Sequence, residues 1–304
     1  MKRYITKDDV KIFKGKYYLP WFKKDEVVHF QRPKKVIVLD LDETLGSFAD
    51  LYILWCGIRQ VWPYCNKFED LCELYPEFLR YGILTILEYL YDKKLRKECE
   101  KIFIYTNNQC SSEWVHMISK FLEKKVKESI RTHTRKRLFD KMICAFKINN
   151  KTIEMCRTGH GKKYNDFLRC SLISENADIC FIDDVEYPDM KSAKVYYICP
   201  RPYVHYLSTS EIIKRIIKAP WVPDGILTSS SFWKDWFYVH KRKYARRGKC
   251  DIELDLQVSH KIIYHLREFM LFGMIDPGKG KRNTRKHMKR ANNARKTRKL
   301  LKNH

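Results

Sequence analysis

Asp40 and Asp42 stand two residues apart in the stretch KKVIVLDLDETLGSF (34–48), directly after the apolar run VIVL (36–39). A run of β-branched and aliphatic residues without polar alternation predicts a strand buried on both faces. Carboxylates at the mouth of so dry a strand need something to offset their charge. Two of them about 4 Å apart repel by ~4 kcal/mol at an effective dielectric near 20. Two later segments end the same way: KIFIYTNNQ (101–109) stops at Thr106, and ADICFIDDVEY (177–187) carries ICFI into Asp183 and Asp184. Singly, an Asp-x-Asp is most often a turn or a cap. Three polar stops in order, each after a buried strand, form a pattern.

In an open parallel sheet the carboxyl ends of the strands border the ligand crevice, so these groups can share one place. Three or four carboxylates together protonate or separate unless a divalent ion joins them. An all-oxygen set with open positions suits Mg²⁺, which keeps waters and binds a substrate phosphate. Asp40, Asp42, Asp183 and Asp184 are the candidate metal-site carboxylates, with Asp40 and Asp183 as the side-chain ligands. An Asp in that setting can attack phosphorus and form an aspartyl-phosphate that water later hydrolyses. Asp42, brought back by a turn for which Gly46 supplies freedom, would protonate the leaving oxygen and afterwards activate the water. Thr106 would hydrogen-bond an equatorial oxygen, and a buried Lys would offset charge on the transferring phosphoryl group.

The elements that must position these residues are readable from periodicity. Residues 1–33 form a basic, aromatic arm ending at Pro33. After the first strand, the aromatic-rich insertion 46–79 has helical spacing at Leu51, Leu54, Trp55 and Ile58. Residues 83–99 read as an amphipathic helix, and SSEWVHMISKFLEKKV as another, with Ser111 or Ser112 as its cap and Glu113 in its first turn. KMICAFKIN and KVYYICPRPYV read as strands and KKYNDFLRCSL as a helix. Strand alternating with helix predicts an α/β fold with a parallel sheet over 34–210. Residues 211–276 are a helical extension whose aromatic stripe (Phe232, Trp233, Trp236, Phe237) packs against the core.

The 304 residues, 44% of them hydrophobic, suffice for one sizeable core plus an appendage. No apolar run approaches the ~20 residues of a membrane span, and the opening residues contain no apolar signal segment, so a cytoplasmic or nuclear setting is expected. Eleven cysteines without C-x-x-C spacing predict reduced, mostly buried thiols. Net charge is +25, and residues 277–304 carry twelve Lys or Arg and no acid. Without those twelve the remaining 49 cations still exceed the 36 acids by 13. The tail reads as disordered when free and able to contact nucleic acid through phosphates.

DLDETL (40–45), YTNNQ (105–109), a downstream Lys and FIDD (181–184) resemble the four motifs of the haloacid dehalogenase superfamily. Within it, DLDETL and FLRYG (78–82) are most similar to the NIF-like group, which contains the small phosphatases acting on the carboxy-terminal domain of RNA polymerase II. The resemblance implies a three-layered α/β sandwich with a central parallel sheet and a Mg²⁺-dependent phosphatase of phosphoserine or phosphothreonine proteins. It gives Asp40 the role of nucleophile, Asp42 that of general acid/base and Thr106 that of phosphate contact. Lys162 or Lys163, with Lys162 favoured, is the third-motif lysine. By the same resemblance Asp183 would bind metal, and Asp184 would assist through metal water or hydrogen bonding. The helical insertion differs from the β element this group usually carries there. Two alternatives stay open: a phosphatase of 3′-phosphorylated nucleic-acid ends, and a nucleic-acid-associated or virion protein that uses the fold as a scaffold.

Overall fold

The run VIVL becomes the centre of the sheet because every residue of its strand can be dry at once: β2 (Lys35–Leu39) is buried throughout. The computed structural model describes residues 5–15, 34–240 and 251–271. Before β2 lies β1 (Val10–Lys14). After it come α1 (Phe48–Val61), α2 (Phe68–Leu74), α3 (Ile83–Leu95), β3 (Lys101–Tyr105), α4 (Ser112–Ser129) and β4 (Lys141–Ile143). A small hairpin of β5 (Lys147–Ile148) and β6 (Lys151–Thr152) precedes α5 (Tyr164–Ser171), β7 (Asp178–Ile182) and β8 (Val195–Pro200). The described chain ends with α6 (Thr209–Ile216), α7 (Ser230–His240) and α8 (Ile252–Leu271).

Six strands form one sheet in the order β1-β8-β7-β2-β3-β4. All pairings are parallel except β1 on β8. Alternation along the strands divides the core in two. Ile37, Leu39, Ile104 and Ile182 face the larger cluster with α1, α3, α4 and the C-terminal helices. Val36, Val38, Phe103 and Phe181 face Phe167 and Cys170 of α5. The protein is thus an α/β fold with a mostly parallel sheet flanked by helices.

The helical reading of the insertion corresponds to α1 and α2. Ser111 caps α4, its hydroxyl accepting from the Trp114 N–H at 3.0 Å. In the extension, Trp233 is fully buried and Trp236 donates its indole N–H to the Ile53 carbonyl of α1 at 3.0 Å. Two expectations change. The arm predicted over 1–33 contains β1, which lies antiparallel on β8 with Val10 opposite Pro200. An edge strand of this kind takes its register from a partner far along the chain, so its own five residues give little sign of it. KMICAFKIN is not one strand, because β4 ends at Ile143 and the chain turns into the hairpin. The basic tail lies outside the described residues.

Candidate active site

Strands β2, β3 and β7 are neighbours, and their carboxyl ends deliver Asp40, Thr106 and Asp183 side by side. Backbone bonds continue the sheet one residue beyond the strands: the Asp40 N–H donates to Ile182 (2.9 Å), Thr106 to Ile143 (2.9 Å) and Asp183 to Ile198 (3.2 Å). Lys162 reaches this point from the segment before α5. Its fully buried ammonium donates to Asp40 Oδ1 and, at 2.6 Å, to Asp183 Oδ2. The rings of Tyr105, Phe181 and Tyr187 lie 5.4–5.9 Å from Nζ. Lys163, by contrast, caps α5 and is half-buried, its backbone N–H donating to the Tyr105 hydroxyl at 3.3 Å.

Asp42 returns to the same place through a tight turn. Glu43 takes a positive φ of 59°, and its N–H donates to the Gly46 carbonyl at 2.7 Å. The predicted use of Gly46 for conformational freedom is corrected here: its backbone is not left-handed, and what it supplies is room. A Cβ on Gly46 would stand 2.5 Å from the Phe78 carbonyl oxygen. Arg80, fully buried, fastens the turn by donating to the carbonyls of Thr44 and Glu43, each at 2.6 Å, and of Arg201 at 2.8 Å. Asn108 then orients the carboxyl, its amide donating to Asp42 Oδ2 at 2.7 Å. Oδ1 of Asp42 is buried and has no hydrogen-bond partner among the described residues.

Asp184 is held from both sides by Thr44. The Thr44 hydroxyl donates to Asp184 Oδ1 at 2.7 Å and accepts from the Asp184 N–H at 3.0 Å. Oxygens of Asp40, Asp183 and Asp184 lie within 4.8 Å of one another. Among the described residues, one ammonium, that of Lys162, serves these carboxylates. Burial, and after it the charge on Asp40, pushes Asp42 and Asp184 each up to about 7. Burial likewise holds Asp183 well above the ordinary carboxylate range, against the pull of Lys162. Burial disfavours the charge on Lys162, but Asp183 and Asp40 outweigh it and keep the ammonium protonated. Perturbations of this size are typical of working sites.

The donor set fits a hard divalent cation. Three carboxylates converge, Oδ2 of Asp40 and Oδ2 of Asp184 accept no hydrogen bond among the described residues, and a second positive charge would relieve the repulsion that now favours protonation. Asp40, Asp183 and Asp184 would hold such an ion; Asp42 stands outside that converging group, with its Oδ2 accepting from Asn108.

Four supporting residues were not singled out from the sequence: Thr44, Asn108, Arg157 and Tyr187. Arg157 is buried, and its guanidinium donates to the Thr106 carbonyl (3.1 Å), the Asn107 side-chain oxygen (2.7 Å) and the Cys144 carbonyl (2.8 Å). It locks the turn after β3, while the Asn107 amide reaches the Tyr187 hydroxyl at 3.0 Å. Thr44 and Asn108 lie within the quoted DLDETL and YTNNQ segments, and their polarity beside the named residues was the available signal. Arg157 and Tyr187 had none, because their contacts depend on tertiary approach. The reduced state expected for the thiols also needs correction. Cys156 and Cys170 are joined, with Cα atoms 5.1 Å apart, because the segment before Arg157 folds back on α5. No family model, curated protein or solved structure matches this chain, so its own residues and their geometry are the basis for assigning a function.

Proposed function

We propose that this protein is a Mg²⁺-dependent phosphomonoester hydrolase that works through an aspartyl-phosphate, with phosphorylated serine or threonine in a protein as substrate. The observation that carries the proposal is the sharing of one buried ammonium by Asp40 and Asp183, beside an Asp42 whose carboxyl is turned in and raised to about 7. The same residues carry the haloacid dehalogenase pattern.

The Asp40 carboxylate attacks phosphorus and the bond to the ester oxygen breaks. Asp42 holds a proton near neutral pH and gives it to that departing oxygen. Water then attacks the phosphorus of the acyl phosphate while the Asp42 carboxylate takes its proton, which releases inorganic phosphate and restores Asp40. Lys162 keeps its charge against Asp40 and Asp183 throughout, and Thr106, whose hydroxyl accepts from the Asn108 N–H at 3.0 Å, would give its own proton in a hydrogen bond to the transferred group. Magnesium, when bound by the acidic set, supplies charge neutralisation at the phosphoryl oxygens.

Purified protein should hydrolyse a chromogenic phosphate ester with Mg²⁺, stop with chelator, and lose turnover on Asp40→Asn. No turnover by folded, Mg²⁺-loaded protein would favour the scaffold reading. The net charge of +25 favours a second reading, in which the ester is a 3′-phosphate on nucleic acid. Relative rates on a phosphoserine peptide and a 3′-phosphorylated oligonucleotide decide between the two.

A further inference from the structure

Away from the carboxylates, one face of α4 borders a trough of about 860 Å³. Lys120, Lys124, Lys127 and Arg131 all line it. Lys120, Lys124 and Lys127, three or four residues apart, share one side of the helix, and Arg131 follows two residues past its end with a left-handed φ of 51°. The segment leading into β4 adds His133 and Arg137, and Phe139 and Met142 give the apolar part of the lining.

The acids of the trough are already engaged. Glu123 accepts from Lys127 at 2.7 Å and from the Leu138 N–H at 3.0 Å. Glu128 lies 3.6 Å from Lys125 and 3.8 Å from Lys124, and Asp140 is bound by Lys94 at 2.6 Å and by the Ile102 N–H at 2.8 Å. Lys120, Arg131 and Arg137 are exposed and make no ion pair among the described residues.

We propose that this trough binds the phosphate backbone of a single-stranded nucleic acid. Lys124 and Lys127 are held by Glu69 and Glu123, which leaves Lys120, Arg131 and Arg137 spread along the trough to meet a partner charged at several successive steps, as a nucleic-acid strand is. A peptide carries phosphate only where it has been modified. A flexible strand can follow a trough beside one helix, whereas a rigid duplex meets it only at the rim. Phe139 of the lining is buried and the exposed rings there are the small imidazoles of His116 and His133, so recognition is chiefly by phosphate and tolerant of sequence. The site is independent of the hydrolase reading, since it is measured by binding without turnover.

The test uses the full chain and a fluorescein-labelled single strand of about 12 nucleotides, within the usual site size. Fluorescence anisotropy is recorded over a salt series. The variant Lys120→Glu/Arg131→Glu/Arg137→Glu should lose three phosphate contacts and flatten the slope of log K against log salt by about 2. Lys151→Glu/Lys214→Glu/Lys218→Glu makes the same change in net charge at other exposed positions and should keep the wild-type slope. Melting temperatures near wild type for both show that each is folded. An unchanged slope in the trough variant, or an equal loss in the control, would assign binding to overall charge and overturn the proposal. So would a glutamate-rich peptide of matched charge that competes as well as unlabelled oligonucleotide, because the partner would then be an acidic protein.

Discussion

Replacing Lys162 with Met removes the one cation that Asp40 and Asp183 share, at nearly constant volume. The ammonium is about 1% exposed and both carboxylates are buried, so the interaction is lost in a largely desolvated setting. Breaking a buried pair from one side costs about 3–5 kcal/mol. For a domain of this size that is a fall of roughly 6–20 °C in melting temperature. The loss has a pH dependence of fixed sign. Lys162 lowers the proton affinity of Asp183, so without it the folded state holds that proton to higher pH than before. The penalty is greatest above pH 7, where the unfolded carboxylates are ionised, and shrinks below about pH 4, where both states are protonated. Added Mg²⁺ supplies replacement charge and should restore part of the stability. It should not restore turnover, which falls by about 10²–10³ when a preorganised donor to the reacting group is lost. Thermal melts at pH 4 and pH 8, with and without Mg²⁺, read the first effect, and ester hydrolysis reads the second. Lys163→Met is the comparison and should lie within about 0.5 kcal/mol of wild type. Equal melting of Lys162→Met and wild type at pH 8, or a larger effect from Lys163→Met, would refute the reasoning.

Three further outcomes are expected. Metal-free wild-type protein should lose stability as pH rises from 5 to 8. Asp42 and Asp184, raised to about 7, bind protons in the folded state that the unfolded chain has released, and saturating Mg²⁺ should flatten the trend in melting temperature. Asn108→Leu removes the hydrogen bond that holds Asp42 down, so the limb of the pH–rate profile reporting Asp42 should move upward, and the Cys110 N–H it leaves without the Asn108 oxygen should lower the melting temperature as well. Trp233→Ala should cost about 3–5 kcal/mol by emptying a fully buried site between α7 and α1, seen as a lower denaturant midpoint.

The central strands and the groups that end them were legible because burial on both faces writes itself as an unbroken apolar run. Asp40, Thr106 and Asp183 each follow such a run by one residue, and the parallel order of β3, β2 and β7 does the rest. The choice between Lys162 and Lys163 could not be made from residue type. It depends on α5 starting one residue later, which sends one ammonium inward and leaves its neighbour at the cap. Arg80 was visible only as part of a short likeness, although three main-chain carbonyls depend on it. Strand β1 and the Cys156–Cys170 link share one reason for having gone unread: each is defined by a partner brought close only by the finished fold.

Helix α8 sets where this chain can be cut. The ammonium of Lys35, at the base of the central strand, donates to the Phe269 and Met270 carbonyls at its end, and Ser259 donates to the carbonyl of Tyr81, next to Arg80. A shortened version stopping at residue 250 would strand a charged amine in the interior and remove the brace beneath the turn that presents Asp42. Residues 251–271 are therefore a keystone of the fold, and a stable fragment has to include them.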